Sequence, residues 1–98
     1  MKIKEKEYKV LQRLEKYNTN LVLKIIELKN KNLATCSNDS SIIFYSKDNS
    51  EFKFNFKIIE DGGCYTIIQT KENEVCYSMG NNKSICFYDF IEKKKNLH

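Results

Sequence analysis

The sequence predicts an all-β fold: two four-stranded antiparallel units, the second incomplete, led by a single outer strand. Three observations predict it. The apolar runs are short, rich in β-branched and aromatic residues, and broken by Asn, Asp, Ser or Gly at intervals of roughly ten residues. Phe52, Phe54, Phe56 and Ile58 alternate with Lys53, Asn55 and Lys57, the period of two that a strand requires. The two halves of the chain also superpose on one another.

The elements follow in order. Residues 21–28 form a first strand, ended by Asn30-Lys31-Asn32. Residues 33–37 form a second, ended by Asn38-Asp39-Ser40, and residues 41–46 a third, ended by Lys47-Asp48-Asn49-Ser50. The alternating run 52–58 is the fourth. Glu60-Asp61-Gly62-Gly63 is a turn, after which strands are expected at 64–70, 74–78 and 84–90, with turns at 71–73 and 79–82. Residues 93–98 read as a frayed basic tail. The N-terminal segment is ambiguous: Val10, Leu11, Leu14 and Tyr17 have helical spacing, whereas Tyr8, Val10 and Leu14 share one face of a strand.

The internal repeat decides that segment. Residues 22–28 match 64–70 at an offset of 42, and Ile42-Ile43-Phe44-Tyr45 matches Ile85-Cys86-Phe87-Tyr88 at 43. Residues 8–14 then fall opposite 52–58 at 44, so 5–16 is read as an outer strand. A period near 42 with four short strands each time points to propeller-like blades. The organisation is an outer strand and basic end at 1–16, a first blade at 17–59, a second, incomplete blade at 60–90 and a basic tail at 91–98.

These residues carry a family resemblance. Residues 33–45, with Ser37, Asp39 and the run Ile42-Ile43-Phe44-Tyr45, resemble the second and third strands of WD-repeat β-propeller proteins, and the likeness extends over about 7–89. Asp39 matches the turn aspartate. Tyr45-Ser46 and Tyr88-Asp89 occupy the place of the Trp-Asp pair, tyrosine replacing tryptophan in both. The Gly-His pair that opens such a repeat is missing, so the usual Asp–His–Ser/Thr–Trp network cannot form. The resemblance implies a protein-interaction scaffold whose loops on one rim contact partners. Strand parity places the loops 16–20, 37–40, 60–63 and 79–83 on that rim. Tyr17, Asp39, Glu60, Asp61 and Met79 are the candidate contact residues.

The third strand of each unit is apolar on both faces, which requires a cover on both sides. Two blades cannot close a ring when propellers use about four to eight. Ile43, Tyr45, Tyr88 and the fourth-strand phenylalanines are therefore expected partly in water, and residues 84–90 as an open edge. Fully burying one such side chain gains ~1.5–3 kcal/mol. Other propeller blades are expected to cover these faces, and the chain reads as a fragment or as a piece that assembles.

Composition narrows the function classes. The 98 residues are 41% hydrophobic and 31% charged, without proline or tryptophan, a globular composition. No apolar stretch approaches the ~20 residues of a membrane span, and the charged start has no apolar core behind it; a cytoplasmic protein is expected. The net charge of +4 sits at the ends: +3 over 1–16, −1 over 17–90 and +2 over 91–98. The alternative reading is a small basic protein that contacts nucleic acid or acidic partners through these lysines, although a nucleic-acid reader should carry a basic face within its fold. Catalysis needs a nucleophile, a base and an orienting group together. The one histidine is terminal His98, and the acids are scattered in turns. Cysteines at 36, 64, 76 and 86 lack zinc-knuckle spacing and read as buried thiols. No catalytic residue, cofactor, metal or small-molecule substrate is expected.

Overall fold

A computed structural model describes residues 12–14, 21–60, 62–79 and 84–96. The described residues form eight strands: β1 (Val22–Glu27), β2 (Leu33–Ser37), β3 (Ser41–Asp48), β4 (Glu51–Ile59), β5 (Cys64–Lys71), β6 (Glu74–Met79), β7 (Ser84–Asp89) and β8 (Lys94–Asn96). They make two four-stranded antiparallel meanders, β1-β2-β3-β4 and β5-β6-β7-β8. The fold is all-β, as the period-two runs require.

The second sheet corrects the expectation of an incomplete unit. Lys94–Asn96, taken as tail, pairs with β7 (Phe87↔Asn96, Tyr88↔Lys95, Asp89↔Lys94), so β7 is not the open edge. A short, lysine-rich strand is how sheets blunt an exposed edge, and such a strand has no hydrophobic alternation by which to be read. Asp89 makes the turn into it, accepting the N–H of Ile91 at 2.9 Å and of Glu92 at 2.8 Å. Asn73 donates to its other oxygen at 2.7 Å. These donors hold the Asp89 carboxyl below its ordinary range. The outer strand expected over 5–16 lies outside the described residues except for 12–14, which carry no strand. There the Gln12 side-chain amide donates to the Phe52 carbonyl at 2.7 Å and accepts its N–H at 2.8 Å, satisfying part of the free edge of β4.

The sheets pack face to face, chiefly β1 and β2 against β5. One apolar cluster joins them: Ala34, Cys36, Ile42 and Phe44 of the first sheet against Cys64, Ile67, Val75, Tyr77 and Tyr88 of the second. Phe44 stacks on Phe56 at 4.4 Å between ring centroids, with Phe90 at 5.8 Å and Tyr88 at 6.4 Å. Three of the side chains expected partly in water are inside, with Ile43 0% exposed, Tyr45 1% and Tyr88 8%, whereas the fourth-strand phenylalanines are partly exposed as expected, Phe54 most of all. Tyr88 is covered by Phe44 and Phe56, and Gln12 and Leu14 line a groove with Tyr45. Other exposed apolar residues include Ile25, Tyr65, Ile68 and Ile85.

Cys36 and Cys64 meet at this interface, both fully buried, free and hydrogen-bonded to each other. That bond and the loss of solvent push the Cys64 thiol up from its ordinary range. Both sulfurs are closed off from solvent in the folded protein. An aromatic disulfide reagent should therefore leave Cys36 and Cys64 unmodified in the native protein and modify all four cysteines in denaturant, as read by peptide mass spectrometry. Native labelling of Cys36 and Cys64 as fast as of half-buried Cys86 would contradict the packing of the two sheets.

Candidate functional site

The rim singled out by strand parity is built from the β2–β3 turn and the β4–β5 connection. Asp39 braces the first of these. Its Oδ1 accepts the Ser37 hydroxyl at 2.7 Å, the Ser41 N–H at 3.0 Å and the Ser41 hydroxyl. The Asp39 N–H reaches back to Ser37 Oγ at 3.3 Å. Both serines are buried, so the carboxylate satisfies hydroxyls that have lost water. Ser40 takes a left-handed backbone at φ 74°, which a short turn needs after the Asx-type bend. The polar network of this turn is therefore built from two serines and one carboxylate.

The two turns converge. The Glu60 N–H donates to the Ser40 carbonyl at 2.9 Å, and the Asn38 N–H to the Leu21 carbonyl at 3.0 Å. Gly62 stands at φ 82°, open to glycine at no steric cost. A Cβ on Gly63 would meet Asn38 Oδ1 at 3.2 Å and the Tyr65 ring at 3.3 Å, so this position keeps the backbone close to both. The result is a surface of Asn38, Gly63 and Tyr65, with the Tyr65 side chain 54% exposed.

The candidate contact residues fall differently from one another. Asp39 is on the rim, but its carboxylate serves the turn. Glu60 points inward: it accepts the Tyr77 hydroxyl at 2.6 Å, and Lys95 lies 3.0 Å from it, which ties the β4–β5 connection to the second sheet. Met79 is 3% exposed and belongs to the core, because it alternates with Val75 and Tyr77 on the inner face of β6. Tyr17 and Asp61 lie outside the described residues. Tyr65, which sequence reasoning gave to a strand interior, is the residue it missed. The β5 register shifts between Cys64 and Ile67, and Tyr65 and Thr66 are both exposed. A bulge breaks the parity by which strand faces follow from sequence. The shift in β1 between Val22 and Lys24, one repeat earlier, marks the same place.

Among the described residues no group of three His, Cys, Asp or Glu side chains could hold a metal ion, and no helix is long and apolar enough to cross a membrane. The rim offers hydrogen-bonding groups and an aromatic ring to a partner. No family model, curated protein or solved structure matches the chain.

Two outcomes follow from this geometry. Asp39→Ala removes the acceptor of buried hydroxyls and should lower stability by about 2–3 kcal/mol in urea unfolding, with Asp39→Asn losing less. The second concerns Tyr77. Burial first, then the bond to Glu60, raises its phenol above the ordinary value of 10.0. The unfolded chain then loses that proton before the folded one does. The contribution of Tyr77 to stability should be level below pH 10.0 and fall as pH rises from there. In Tyr77→Phe this part of the alkaline decline, followed by denaturation midpoints, should be absent.

Proposed function

We propose that the protein is a non-catalytic protein–protein interaction scaffold of WD-repeat type that works in the cytoplasm and binds partners through turns on one rim of its sheets. The observation that carries the reading is the braced rim. Asp39 fixes one turn, Ser40 and Glu60 join it to the next, and Tyr65 stands exposed beside them. A preorganised aromatic surface loses little conformational entropy on binding, which favours recognition by a rigid edge. The 42-residue repeat and the two equivalent meanders support the propeller-like architecture.

The lysine-end alternative gains nothing from the C-terminal segment. Lys94 pairs with Glu92 at 2.8 Å, Lys95 with Glu60, and Lys93 lies 4.6 Å over the Phe56 ring. Steep loss of oligonucleotide binding with added salt would favour that alternative.

Site-specific photocrosslinking tests the rim. A photoreactive amino acid in place of Tyr65 should give covalent adducts with another protein in cells. The same residue in place of Lys71, towards the opposite rim, should give none. Equal adducts at both positions, or none at 65, would remove the rim from the function.

A further inference from the structure

The two outer faces of the two-sheet stack are the two halves of the interface inside it. On the first sheet, Leu14, Val22, Ile25, Leu33, Thr35 and Tyr45 line an open groove of about 260 Å³, with Gln12 at its margin. One repeat later these positions are Ile58, Cys64, Ile67, Val75, Tyr77 and Tyr88. All six pack in the inter-sheet core. On the second sheet, Thr66, Ile68, Cys76, Ser78 and Ile85 line a groove of about 150 Å³. One repeat earlier these are Lys24, Ile26, Ala34, Cys36 and Ile42, and the last four pack against the second sheet. The pairing register agrees: Cys36↔Ile42 in the first sheet corresponds to Ser78↔Ile85 in the second.

We infer that a second copy of this chain docks head to tail, its first-sheet groove receiving the outer face of the second sheet. The complement of each open face is thus present at the other end of the same molecule. Ile25, Ile68 and Ile85 are 60%, 54% and 67% exposed, and among the described residues no charged side chain lines either groove. Joining them removes apolar surface from water without desolvating an ion. Each groove also holds a buried hydroxyl without a hydrogen-bond partner among the described residues, Thr35 Oγ1 in one and Ser78 Oγ in the other. Their repeat equivalents at the internal interface, Tyr77 and Cys36, are both bonded to groups from across the sheets, Glu60 and Cys64. Heterologous contacts of this kind either close or propagate. Two copies joined at both ends give four sheets, the low end of the about four to eight in closed propellers.

The inference rests on the repeat architecture of the proposed function and leaves the rim free. Analytical ultracentrifugation of the full chain tests it with two lysine substitutions at exposed positions, Ile25→Lys and Ile85→Lys, their folding checked by circular dichroism. The wild type should sediment at twice the monomer mass, and each variant alone should be a monomer. An equimolar mixture should recover dimers, because one intact end from each variant still fits. A wild type that stays monomeric at high micromolar concentration overturns the inference. So does an Ile25→Lys protein that still dimerises, which would mean that two second sheets meet face to face, and so does a mixture that stays monomeric. Rim crosslinking at position 65 in the monomeric Ile85→Lys protein separates the two readings: adducts there keep the rim whether or not copies associate.

Discussion

The rest of the molecule depends on burial of a strand from both sides. In β3 the run Ser41-Ile42-Ile43-Phe44-Tyr45 is buried throughout, Ile42 and Phe44 toward the second sheet and Ile43 and Tyr45 away from it. A lone sheet shields one face at best. Packing on another layer is therefore a condition of these strands existing, and the second sheet meets it through Phe44, its stacked partner Phe56 and the rings of Tyr88 and Phe90. The polar groups caught at this interface have been matched within it. Two thiols bond each other, and the Tyr77 hydroxyl finds Glu60, so the layers meet without an ion left alone in the core.

Much of the architecture is legible in the sequence because periodicity and turn chemistry speak for the strands that bury side chains. The alternation at 52–58 and the doubly apolar run at 42–45 name β4 and β3. The superposition of 22–28 on 64–70 identifies two units, and even the bulges recur at matching positions. What was illegible has a physical pattern. β8 is a lysine-rich edge strand held by pairing with β7 and by the Asp89 turn, neither of which leaves a hydrophobic period.

The site was harder to read for a related reason. Asp39 reads from the sequence as a turn acid between serines, and its carboxylate braces that turn. Glu60 and Met79 were assigned outward from the position of their loops. In fact Glu60 is drawn in by the Tyr77 hydroxyl 17 positions away, and Met79 by the inward phase of β6. Tyr65 was hidden by the bulge that exposes it. Long-range partners and broken parity decide these three residues, and neither is encoded in the few positions around them.

Repetition also separates the faces of each sheet from its rims. A unit that must stack on its neighbour needs faces clear of charge, and acids and lysines are accordingly confined to turns and edges. Lys29 bonds Gln69 and Glu72 at one rim, while Lys95 reaches Glu60 from the β8 edge. On the opposite rim Glu60 is drawn to Tyr77 and Lys95, while Asn38 and Tyr65 stand exposed. That division lets the layers hold with tyrosines at 45 and 88 and no tryptophan in the chain. The Phe44 stack and the buried β3 run carry the layering. The serine–aspartate turn at 37–41 meets its own polar needs within the rim, apart from that layering.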